Sequence, residues 1–146
     1  MSGITAKDCY RLVRDSDCRM TAEELLRLNM SLSISARAFM YAVFLGQRKD
    51  SRALAFAAIA KDEGTPEQHA CARHLEGVLA YIVSEDHEEA IAIAEEVIRL
   101  ARDLGDAELE GDALAGISLV YEDRGDQRAA QAYRRRAARV RRSEKA

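Results

Sequence analysis

The chain has 146 residues and a mass of 16.2 kDa, a size at which one domain buries roughly 68–70% of the surface its unfolded chain exposes. With 48% hydrophobic and 32% charged residues, one proline and no tryptophan, the composition excludes collagen-like and disordered chains, and the odd, unclustered Cys9, Cys18 and Cys71 exclude a disulfide framework. The net charge of −3 hides an asymmetry: from Gln127 onward eight basic residues face only Glu144, giving +7, so residues 1–126 carry −10.

Residues 1–8 lack an apolar run, and no stretch approaches the 18 apolar residues of a membrane span. The cytoplasm is therefore the expected location, with no membrane partner. Along the chain, Thr5 with Asp8 and Thr21 with Glu24 read as capping boxes opening helices over 5–14 and 21–29. The next pair is expected over 34–45 and 51–63, ended by Gly46 and Gly64. Thr65 and Pro66, with Gln68, open a helix reaching about Val83, because proline suits the first helical turn. Helices over 87–104, stopped by Gly105, then 107–124 and 127–142 complete eight segments. No run of alternating β-branched residues marks a strand.

The most informative spacing lies near the end of the chain. Leu114, Ile117, Ser118 and Tyr121 precede a turn at Gly125 and Asp126, and Ala130 and Tyr133 follow it. A glycine can take the left-handed conformation that ends one helix, an aspartate can cap the next, and a small Ala130 lets the two helices cross closely. The interval from Tyr121 to Ala130 recurs from Tyr81 to Ala90, around Glu85 and Asp86, and from Phe44 to Ala53, around Gln47, Arg48, Lys49 and Asp50. The alanines give periods of 40 and 37 residues.

This pattern resembles the tetratricopeptide repeat, W-x2-L-G-x2-Y followed by A-x3-F, whose basic period is about 34 residues. Leu114 stands for the tryptophan, Ser118 for the glycine and Arg134 for the phenylalanine, with Tyr133 taking over the aromatic role. The lengthened units are similar to the tetratricopeptide proteins of bacterial regulators and the kinesin light chain class. The resemblance implies an all-α fold, a right-handed α-α superhelix of about eight helices. Residues 34–142 would form three hairpins, 1–33 an N-terminal pair serving as a degenerate repeat or cap, and 143–146 a disordered tail.

Little in the chain suggests chemistry. His69, Cys71 and His74 share one helical stretch, but a structural zinc needs four ligands arriving as spaced pairs. A Cys–His nucleophile needs a base and a group orienting it. No Gly-rich phosphate loop, H-E-x-x-H or G-x-S-x-G is present. The sequence points away from an enzyme and names no metal or cofactor.

Binding is the expectation instead. In a tetratricopeptide array the first helix of each hairpin lines the concave face. Offsets from Phe44, Tyr81 and Tyr121 assign Phe39, Ala42, Leu45, Leu75, Leu79, Ile82 and Leu119 to that face. They would form an apolar groove for a hydrophobic peptide or helix, and a homodimer partner is a second possible occupant of the same face. The expected function is a protein-binding scaffold or adaptor. In size, helical content and apolar concavity the chain also resembles the tetratricopeptide chaperones of type III secretion. The basic surface Arg134, Arg135, Arg136, Arg139, Arg141 and Arg142 supports an alternative, a nucleic-acid-associated regulator. Stacking aromatics limited to Tyr133 weigh against it, and a solubilising cap on the last helix also accounts for the arginines.

Overall fold

The computed structural model describes residues 34–62 and 65–144. They form six helices: α1 (Ile34–Gln47), α2 (Arg52–Asp62), α3 (Pro66–Ile82), α4 (His87–Leu104), α5 (Ala107–Asp123) and α6 (Gln127–Glu144). Among the described residues there is no strand. The helices expected over 5–14 and 21–29, and the turn at Gly64, lie outside the described residues.

Local sequence explains where each helix begins. Thr65 caps α3 with a full capping box: its backbone N–H donates to Gln68 Oε1 at 2.8 Å, and the Gln68 N–H donates to Thr65 Oγ1 at 3.3 Å. Asp86, Asp106 and Asp126 each accept the amide three residues on, from Glu89, Leu109 and Ala129, all at 3.0 Å. A cap of this kind is worth about 1 kcal/mol.

The turns inside the three hairpins share a left-handed residue followed by an aspartate. Gly125 takes φ 81 before Asp126, where the missing Cβ removes the steric cost. Lys49 and Glu85 take φ 54 and 53 before Asp50 and Asp86, so the same turn recurs without its glycine. In the first hairpin the reversal is therefore at Lys49 and not at Gly46, which lies inside α1. Gly46 has a packing role. A Cβ there would stand 2.5 Å from Leu79 Cδ2, so its absence lets α3 approach α1. At the far end, α6 runs two residues beyond Arg142, and the Ser143 hydroxyl donates to the Val140 carbonyl at 2.8 Å.

Each helix packs on the next, and the first helices of successive hairpins, α1 with α3 and α3 with α5, also touch. One continuous core results. It takes Phe39 and Met40 from α1, Leu75 and Leu79 from α3, Ile93 and Val97 from α4, and Leu109, Leu114 and Ile117 from α5. Two of the second helices, α2 and α6, contribute small residues: Ala53, Ala57 and Ala60 of α2 and Ala130 and Ala137 of α6 are buried. Small side chains at crossings let neighbouring backbones close up. Partly buried ions tie α2, α3 and α4 together. Glu76 receives Lys61 at 3.2 Å and Arg73 at 3.1 Å, and Arg73 also donates to Glu96. Burial opposes the charge of Arg73, but the hydrogen bonds it donates to Glu96 and Glu76 outweigh it and raise its pKa.

Candidate functional site

Between α3 and α5 lies a cleft of about 210 Å³. Its walls are Val78, Tyr81 and Ile82 on one side and Leu119 and Val120 on the other, and its lining is almost wholly apolar. Small residues also border it: Gly77 of α3, Ala113 and Gly116 of α5, and Ala90 and Ala94 of α4. A Cβ at Gly116 would meet nothing within 4 Å. Val78 and Leu119 are 38% and 54% exposed, an unusual condition for large aliphatic groups facing a shared hollow.

A polar tie spans α3 and α5 at the C-terminal ends of both helices. The Tyr81 hydroxyl donates to the Asp123 carboxylate, and the Tyr81 ring lies 5.4 Å from that of His87. Tyr121, at the matching place in the next hairpin, instead stacks on Tyr133 at 5.6 Å and 14°.

The seven residues assigned to a groove separate on the structure. Phe39, Ala42, Leu75 and Leu79 are buried in the packing between helices, while Leu45 and Ile82 are half-buried. Only Ile82 and Leu119 border the cleft. The offsets could not separate a side chain inserted into a neighbour from one left standing beside it. Val78, Gly77, Gly116 and Val120 were missed. Gly77 and Gly116 carried the available signal, a glycine inside an otherwise helical pattern.

The basic residues also separate. Arg134 donates to Glu122 at 3.3 Å and Arg141 to Asp112 at 2.8 Å, both on α5, and Arg136 lies over the Tyr133 ring at 5.0 Å. Arg135, Arg139 and Arg142 face away from α5, with Arg128 beside them.

No known protein family, curated protein or solved structure matches the chain. Its function is therefore argued from geometry alone. Cys71 is buried, and among the described residues no group of three or more His, Cys, Asp or Glu side chains is placed to share a metal. Among those residues, too, no helix is long and apolar enough to cross a membrane.

Proposed function

We propose that the protein is a non-catalytic interaction scaffold, built as a right-handed tetratricopeptide-like solenoid, that captures a hydrophobic helix or peptide of a partner protein in the α3–α5 cleft. The fold part of this reading rests on the recurring Asp-capped turn and on buried Ala53, Ala90 and Ala130, each opening a second helix. Contacts between successive first helices also agree with an array whose inner layer is α1, α3 and α5.

The observation that carries the binding part is the apolar hollow itself, flanked by exposed Leu119 and Val78. Its volume of about 210 Å³ falls below the roughly 300–1,000 Å³ of small-molecule sites. It suits one or two inserted apolar side chains, each contributing about 1.5–3 kcal/mol on burial. A helix presenting such anchors one or two turns apart would lie along the furrow between α3 and α5.

Peptides selected from a display library on the immobilised protein test this reading. They are expected to carry a large aliphatic or aromatic anchor and to bind in solution. Leu119→Glu should weaken them at least about tenfold, the equivalent of 1.4 kcal/mol, with circular dichroism and thermal unfolding unchanged. Peptides indifferent to Leu119→Glu would overturn the assignment of the cleft.

A further inference from the structure

The last helix carries a second surface, independent of the cleft. Ala130, Ala137, Tyr133 and Val140 pack α6 onto the core. Diametrically opposite, Arg128, Arg135, Arg139 and Arg142 fall within an arc of about 60° at 3.6 residues per turn, over a length of about 21 Å. Among the described residues, no hydrogen bond or ion pair engages any of these four, in contrast to Arg134 and Arg141, which are tied back to α5.

Ordinary helix electrostatics do not explain this stripe. The macrodipole favours cations only in the last turn, which accounts for Arg142 and leaves Arg128 and Arg135 unexplained. Residues 127–143 contain no Asp or Glu, although mixed charges would serve solubility and add favourable pairs. Arg135 and Arg139 are instead like charges one turn apart, an arrangement that destabilises an isolated helix. A bound polyanion would relieve that repulsion.

We propose that this outer face of α6 binds the sugar–phosphate backbone of a nucleic-acid duplex. The chemistry around the arginines selects the ligand. Gln131, Ala132, Arg136 and Ala138 border them, so a protein partner finds no aromatic or large aliphatic anchor and a bilayer finds nothing to insert. Tyr133 is engaged with Tyr121, which leaves the face without a base-stacking platform. Affinity must then come from phosphate neutralisation by guanidinium groups, without regard to sequence. The strongly acidic remainder of the chain confines the contact to α6 and sets its orientation.

Fluorescence anisotropy of the full chain with a labelled random-sequence DNA duplex of about 20 base pairs tests the proposal. Four phosphate contacts predict a slope of about −3.6 for log K against log salt, a loss of about 100-fold between roughly 50 and 200 mM. The fourfold variant Arg128→Gln, Arg135→Gln, Arg139→Gln, Arg142→Gln should abolish binding while melting as the parent does. Should that variant misfold, Arg135→Glu alone should lower the affinity and reduce the slope by about 1. The control Arg134→Gln, Arg141→Gln should bind within about twofold of the parent. The proposal is overturned if the duplex does not bind at the lower salt, or if both sets of substitutions weaken it equally. Tighter binding to polyglutamate or to phosphatidylserine vesicles than to the duplex also overturns it.

Discussion

Leu79 and Leu119 stand two residues before Tyr81 and Tyr121, at matching places in successive hairpins, yet one is 1% exposed and the other 54%. At the α1–α3 junction, Gly46 removes the Cβ that would block it and the Leu79 side chain fills the space. At the α3–α5 junction, Gly116 leaves open room, and Leu119 borders the cleft without filling it. A leucine two residues before a tyrosine is therefore structural in α3 and available in α5. Gly46 lets Leu79 insert against α1, whereas Leu119 stays at the edge of an unfilled cleft.

Substitutions at the two leucines give the widest contrast. Leu79→Ala should cost about 2–5 kcal/mol in chemical denaturation, as expected for a cavity in a packed core. Leu119→Ala should stay within about 0.5 kcal/mol. Equal losses would mean that the two junctions are packed alike.

Filling the cleft sharpens the comparison from the other side. Gly116→Leu adds a side chain where space is open and should stabilise α5 by up to about 1 kcal/mol through helix propensity. It should also weaken the selected peptides at least about tenfold. A stability gain without loss of binding would place the peptides elsewhere.

The turns test the repeat more gently. Gly125→Ala should cost about 1 kcal/mol because a Cβ is disfavoured at φ 81. Glu85→Gly, relieving the same conformation in the preceding hairpin, should gain about 0.5 kcal/mol after the entropy cost of glycine. Equilibrium denaturation reads both, and opposite signs are the expected outcome.

The smallest effect concerns the first turn. The Arg52 side-chain and backbone hydrogen bonds lower the Asp50 pKa from 3.8 to about 2. Because the folded value is depressed, the contribution of Asp50 is fully present above pH 3.8 and is lost as pH falls toward 2. Asp50→Asn should therefore flatten the pH dependence of stability in that window slightly, while leaving its shape near neutrality unchanged.

The helices were legible because their ends carry local chemistry: Thr65, Asp86, Asp106 and Asp126 each satisfy an amide that the sequence alone exposes as unpaired. The recurring turn was legible through its aspartates, while the left-handed Lys49 and Glu85 were not, since neither residue type announces that conformation. Gly46 misled because a glycine near a helix end serves equally as a stop or as a close-packing position, and only the approach of Leu79 tells them apart. The cleft was half legible. Offsets taken from the repeat resemblance included Ile82 and Leu119, which border it, but the open space at Gly116 depends on a tertiary junction. On α6, helical spacing alone groups Arg128 with Arg135, Arg139 and Arg142, whereas the partners that tie back Arg134 and Arg141 lie on another helix.

Methyl-resolved NMR of the full chain, titrated with a selected peptide, tests the central claim most directly. Binding in the cleft predicts shifts concentrated at Val78, Ile82, Leu119 and Val120, with the exposed Leu54 and Ile59 of α2 unmoved. Shifts concentrated at Leu54 and Ile59, with the four cleft residues unchanged, would contradict it.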